Sequence, residues 1–235
     1  MNTTTVLFDL DGTLLPMDQD EFLKAYFTRL TARMFPRGYE PKKLIKTIMD
    51  GTAAMIKNDG STSNMDVFWR VFAEVYGPES LADKPFVDDF YSKEFGLVKE
   101  TCGFAPMARE IVDLLKSTGK TVVLATNPIF PAVATENRIR WAGLTPEEFA
   151  LWTTYENSSF CKPNPAYYTE ILNKIGAKPE ECLMVGNDVG EDMIVRKLGM
   201  KVFLLTDCLI NRGNEDITQF PHGSFPELKA FLETL

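Results

Sequence analysis

Short apolar runs alternate with helix-spaced apolar patterns along this 235-residue chain, and that alternation constrains the fold more than any other feature. The runs fall at residues 5–8, 121–125, 150–153, 182–185 and 201–205. Such short, nearly continuous apolar stretches are the mark of strands buried on both faces. Between them lie Met107, Ile111, Leu114 and Leu115, then residues 132–141, 166–175, 192–198 and 226–232, all patterned as helices. Strand and helix in turn predict an α/β fold, a doubly wound parallel sheet covered on both faces.

One interval breaks the rhythm. More than a hundred residues separate Phe8 from Thr121, whereas a crossover between parallel strands needs only about 10–12. The interval carries its own helix-spaced sets: Phe22, Leu23, Tyr26, Phe27 and Leu30; Leu44, Ile45, Ile48 and Met49; Val67, Phe68, Val71, Phe72 and Val75; and Phe86, Phe90 and Phe95. Aromatic stripes at this spacing are helix core rather than a cofactor box. A small α-helical domain inserted into the sheet is therefore expected. Its junctions fall near Leu15, beside Pro16, and near Thr101, before Gly103 and Pro106.

Composition narrows the partners. Hydrophobic residues at 45% and charged residues at 25% mark a folded globular chain, and 25 basic against 33 acidic residues leave a net charge of −8. An acidic chain has no broad footprint for nucleic acid or an anionic membrane, so neither is expected, while a local basic pocket still suits a small phosphorylated ligand. No apolar run approaches the ~20 residues of a spanning helix. Residues 1–5 lack the basic start of a signal peptide, which makes the cytoplasm the expected compartment.

Cys102, Cys161, Cys182 and Cys208 include no Cys-x-x-Cys pair and read as reduced packing residues rather than a zinc site. Gly186 and Gly190 match neither a dinucleotide fingerprint nor a P-loop. His222, the only histidine, reads as a loop residue.

Chemistry is concentrated at strand ends. The first run closes on Phe8-Asp9-Leu10-Asp11-Gly12-Thr13. Side chains alternate along a strand, so Asp9 and Asp11 project to one side at its carboxyl end, where parallel sheets bind ligands. Two carboxylates so placed repel each other, and a hard divalent cation such as Mg2+ is the simplest relief. Later runs end in Thr126-Asn127-Pro128, in Cys161-Lys162-Pro163 just beyond the third run, and in Gly186-Asn187-Asp188-Val189-Gly190-Glu191-Asp192.

Residues 6–14, and these four stretches in this order, resemble the haloacid dehalogenase-like hydrolase superfamily. The resemblance covers residues 1–15 and 101–235, implying a Rossmann-like catalytic core, with residues 16–100 in the place of the family's helical cap domain. It implies a magnesium-dependent phosphohydrolase for a small phosphorylated metabolite. Asp9 would attack phosphorus to give an aspartyl-phosphate, and Asp11 would protonate the leaving oxygen and then deprotonate water. Thr126 and Asn127 would bind phosphoryl oxygens, and Lys162 would offset the negative charge. Asp9, Asp11, Asp188 and Asp192 are the metal candidates.

The family's commonest fourth motif has an acid directly after the glycine, where this chain has Asn187, so the choice between Asp188 and Asp192 stays open. Glu191 reads as a solvated surface acid.

Dehalogenases and phosphonate hydrolases of the family lack an aspartate at the position of Asp11, which favours phosphate-ester chemistry here. A phosphosugar mutase would use the same acidic pair. From other classes, a phosphoaspartate signalling receiver gathers similar residues but keeps its acceptor on a middle strand without a helical insert, and a silent scaffold would have lost the nucleophile. Phosphoglycolate, a sugar phosphate and a nucleoside monophosphate all remain open as substrate, and a monomer or homodimer is expected.

Overall fold

The computed structural model describes residues 3–235. Met1 and Asn2, which open the stretch read above as lacking a signal peptide, lie outside the described residues. Six parallel strands form one sheet: β1 (Thr5–Phe8), β2 (Thr121–Leu124), β3 (Leu151–Trp152), β4 (Cys182–Gly186), β5 (Lys201–Leu205) and β6 (His222–Gly223), in the order β3-β2-β1-β4-β5-β6. The five expected strands are present, the third shortened to two residues. A sixth corrects the reading of His222, which pairs with Leu204 at the sheet edge. Two residues, one a glycine, carry no apolar signal by which sequence could reveal a strand.

Alternation along the strands divides the interior in two. Val6, Phe8, Val122, Leu124, Leu183, Val185, Phe203 and Leu205 face one core, shared with α5 (Pro106–Ser117), α6 (Ala132–Trp141) and α9 (Phe225–Leu232). Leu7, Val123, Ala125, Met184, Val202 and Leu204 face the other, against α7 (Pro165–Ile175) and a 3-10 segment, Met193–Leu198. Burial on both faces is why these strands are continuously apolar.

A full helix was expected over residues 192–198. Instead a single turn, α8 (Val189–Asp192), tightens into that 3-10 segment. A 3-10 winding rises about 2.0 Å per residue against 1.5 Å for an α-helix, which lets a short connection between β4 and β5 reach back along the sheet.

Between β1 and α5 lie four helices, α1 (Gln19–Met34), α2 (Pro41–Ile56), α3 (Asn64–Tyr76) and α4 (Lys84–Ser92), the last followed by a 3-10 segment, Glu94–Thr101. Their starts follow local chemistry. Asp18 accepts hydrogen bonds from Asp20 and Glu21 amides, Glu40 precedes Pro41 at the first turn of α2, and the Ser63 hydroxyl accepts from the Asp66 amide. Phe22, Tyr26, Leu30, Trp69, Phe72 and Phe90 join the same cluster as Val6 and Phe8, so the insert's apolar core is continuous with one face of the sheet. No helix among the described residues is long and apolar enough to cross a membrane.

Strand order reverses at β1, with β2 to one side and β4 to the other. Connections leave that point in opposite directions and open a crevice beyond the carboxyl ends of the strands.

Candidate active site

Register delivers the expected residues to that crevice. Phe8 is level with both Leu124 and Val185, the Asp9 amide donates to the Val185 carbonyl at 2.9 Å, and the Ala125 amide donates to Phe8 at 2.7 Å. Asp9, Thr126 and Asn187 thus emerge side by side. Gly12 then turns the chain with φ +84°, where a Cβ would strike the Asn187 carboxamide. A side chain is excluded there on both conformational and steric grounds.

Asp9, Asp11, Thr126, Asn127, Asp188 and Asp192 all line one pocket of about 180 Å³. Lys162 does not line it. Buried beneath, its Nζ lies 2.7 Å from Asp9 Oδ1 and 2.7 Å from Asp192 Oδ1. Burial opposes the Lys162 charge, but Asp192 and Asp9 outweigh it and hold the ammonium well above the ordinary lysine range. For Asp192 burial dominates and pushes the carboxyl up to about 7, against the pull of Lys162.

The Asp192 carboxylate is occupied on both sides, since Oδ2 accepts from the Asp188 amide at 3.0 Å. Asp188 Oδ1 caps α8 by accepting from Gly190 and Glu191 amides at 2.8 and 3.1 Å, while its Oδ2 faces Arg212 Nη1 at 2.6 Å.

Asp11 is paired with Arg138, whose side chain is 1% exposed. Its second oxygen, Oδ1, is buried and has no hydrogen-bond partner. Burial raises the Asp11 carboxyl above its ordinary range, with the Arg138 charge pulling the other way. A carboxyl whose affinity for a proton is raised, beside a second carboxylate, is suited to proton transfer.

The loops carrying Thr126 and Lys162 are tied together. Asn127 Oδ1 accepts from the Lys162 amide at 3.2 Å, and the Thr126 carbonyl accepts from Thr153 Oγ1 at 2.6 Å and Tyr167 OH at 2.7 Å. Glu191 is not a surface acid as expected. It lines the pocket half-buried, accepts from Asn127 Nδ2 at 3.2 Å, and is raised by burial.

The donor chemistry fits a hard cation. Asp9, Asp11 and Asp188 offer only oxygens, which magnesium prefers, and Asp11 Oδ1 is a buried acceptor with no partner. In this conformation Lys162, Arg138 and Arg212 occupy the carboxylates, and no three acidic, histidine or cysteine groups among the described residues converge as a preformed cage.

Comparison with known proteins decides the family. The model of the haloacid dehalogenase-like hydrolases matches residues 3–198. This chain belongs to that family. It is a hydrolase, and a pyrophosphatase, PpaX of Bacillus cereus, is 27% identical over 191 residues, 80% of this chain and 76% of that protein. Among solved structures, a 2-haloacid dehalogenase from Pseudomonas syringae has a TM-score of 0.64 at 18% identity, covering 100% of this chain and 99% of its own. The hydrolase YfnB of Bacillus subtilis, bound to magnesium, has a TM-score of 0.56 at 20% identity, covering 99% of each chain. These two likenesses establish the fold, a Rossmann-like core with a helical insert.

Several residues of this haloacid dehalogenase-like hydrolase escaped sequence reasoning. Arg138 sits in the middle of α6, in an Arg-Ile-Arg triplet that looks like a solvated face. Arg212 lies in a loop and reaches both Asp188 and, at 3.3 Å, Gln19 Oε1 of the insert. Asn64, fully buried at the start of α3, donates to the carbonyls of Pro128 and Phe160, each at 3.2 Å, and so ties the insert to the loops bearing Asn127 and Lys162. What distinguishes these residues is a partner far away in sequence, which a linear string does not show.

Proposed function

We propose that this hydrolase is a magnesium-dependent phosphatase that releases phosphate from a small phosphorylated metabolite, with residues 1–15 and 101–235 as catalytic core and 16–100 as cap. The observation that carries it is Asp9: a carboxylate at the switch point of the sheet, lining the pocket with a buried ammonium 2.7 Å behind it and a second aspartate two residues on.

Asp9 attacks phosphorus and the ester oxygen departs, taking a proton from Asp11. Water then gives its proton to Asp11 and attacks the aspartyl-phosphate, releasing phosphate and regenerating Asp9. Lys162 lowers the cost of holding the Asp9 charge, and Asp192 keeps Lys162 in place through its own contact at 2.7 Å. Thr126 and Asn127 contact the phosphoryl oxygens. Asp9, Asp11 and Asp188 would hold Mg2+, which supplies positive charge to the phosphoryl oxygens when bound. Asp192 is the poorer ligand because its Oδ1 is held by the buried Lys162 ammonium, whereas Asp188 Oδ2 meets an arginine whose side chain is largely exposed.

The PpaX relative is a pyrophosphatase by name, which agrees with phosphoryl chemistry. Phosphate release from a panel of phosphorylated metabolites, with and without Mg2+, tests the reading. Release is expected only with the metal, and is expected to vanish in Asp9→Asn with the circular dichroism spectrum unchanged. Full activity in that variant would end the nucleophile assignment.

A further inference from the structure

The pocket does not stop at the carboxylates. Leu23, Ile129 and Phe130 line it and also line a second cavity, of about 160 Å³, enclosed by α1, α2, α3 and the loop after β2. No charged side chain among the described residues lines this cavity.

Its polar atoms are already paired. The Tyr26 and Tyr91 hydroxyls bond each other at 2.7 Å, Trp69 Nε1 donates to Tyr155 OH at 3.4 Å, and Thr52 Oγ1 donates to the Ile48 carbonyl at 2.9 Å. The walls therefore offer mostly packing, the spare hydrogen-bonding capacity being confined to the Tyr26–Tyr91 pair and the Tyr155 hydroxyl. At the rim, Leu23 and Met49 are 37% and 50% exposed, so the mouth of the cavity is apolar as well as its walls.

We propose that this cavity receives the alcohol portion of the substrate, so that the preferred phosphate monoesters carry an aryl or alkyl group of about six to eight carbons. The proposal rests on the phosphatase reading above and names its substrate class. Capacity sets the size, since an apolar cavity of about 150 Å³ holds one benzene. Continuity sets the direction: with phosphorus at Asp9, the ester oxygen's substituent passes between Leu23 and Phe130. Chemistry excludes the polar candidates. The several hydroxyls of a sugar would lose water here and outnumber the few tyrosine hydroxyls that could replace it, and the carboxylate of glycolate would meet no cation in the lining.

The test is a series of ethyl, butyl, hexyl and phenyl phosphate beside phosphoglycolate and glucose 6-phosphate, read as kcat/KM for phosphate release. Each methylene buried is worth about fourfold, so ethyl to hexyl should rise on the order of 10²-fold, with phenyl near hexyl. Thr52→Phe fills the cavity and should collapse the hexyl-to-ethyl ratio toward one; Leu23→Gln at the neck should do the same if the first variant misfolds.

Binding is read separately, because Trp69 lies in the wall. Hexylphosphonate should change tryptophan emission at concentrations where methylphosphonate does not, and Trp69→Phe should lose that response. A flat ester series, or phosphoglycolate or glucose 6-phosphate turned over as well as hexyl phosphate, overturns the inference while leaving the phosphatase reading intact. Tight hexylphosphonate binding without hydrolysis of any ester overturns the phosphatase reading and supports the apolar site. Absence of both overturns the two together.

Discussion

Replacing Arg138 with Met keeps much of the side-chain volume and removes the charge that faces Asp11. Arg138 is 1% exposed and Asp11 23%. The guanidinium also donates to Thr135 Oγ1 at 3.2 Å and lies 4.5 Å from the Phe130 ring centroid. Removing one member of a buried pair costs about 3–5 kcal/mol, and the residual exposure of Asp11 places this case near 3. For a chain of this size that is a fall in Tm of about 6–12 °C.

The loss should depend on pH. Burial already raises Asp11 above 3.8, and without Arg138 it rises further. Between the unfolded and folded values the native state holds a proton that the unfolded chain has lost, so stability falls as pH rises through that window. The gap between parent and variant should therefore widen with rising pH, and be larger at about pH 8 than at about pH 4. Urea denaturation at both values measures it. Adding Asp11→Asn removes the stranded carboxylate and should recover most of the loss, a coupling of at least about 1 kcal/mol. A gap below about 0.5 kcal/mol at both values, or no recovery in the double variant, would refute the claim that the pair is a buried electrostatic unit.

Lys162→Met leaves Asp9 and Asp192 without their shared cation, and should cost about 3–5 kcal/mol in urea denaturation and on the order of 10²–10³ in kcat for phosphate release; parent-like values in both would contradict the proposed role of Lys162 beneath Asp9. Asn187→Asp restores the acid common in the family, yet Asn187 Nδ2 donates to the Cys208 carbonyl at 2.7 Å and a carboxylate has no proton for it. A loss of about 1–3 kcal/mol in urea denaturation is expected, and a stabilised variant would show that the carboxamide is not needed as a donor.

How much of this was legible follows from what each feature depends on. The first five strands and the insert could be read because burial writes a periodicity into consecutive residues, as in the stripe Phe22, Tyr26 and Leu30 of α1. The candidate site could be proposed in its parts because Asp9, Thr126 and Asp188 sit just past strand ends, whereas Lys162 lies in a loop well beyond β3. The pairings could not. That Arg138, more than a hundred residues from Asp11, meets it across the fold depends on how α6 rests on the sheet. Glu191 was misread because its i+3 spacing from Asp188 says nothing of Asn127, which approaches from another loop. His222 was misread because its strand is defined by a neighbour's backbone and not by its own side chain.

The same distinction between buried and exposed partners bears on the metal ligand that spacing left open. Arg212 keeps two thirds of its side chain exposed (66%) where it meets Asp188, and exposed ion pairs contribute only about 0–1 kcal/mol. Lys162 and Asp192 are each 1% exposed, and separating such a pair costs several times more. We infer that a divalent cation can displace Arg212 from Asp188 at little cost, whereas taking Asp192 as a ligand would strip Lys162 of its counter-charge. Asp188 is then the acid this fold offers to the metal, and Asp192 is the acid that keeps the lysine beneath Asp9.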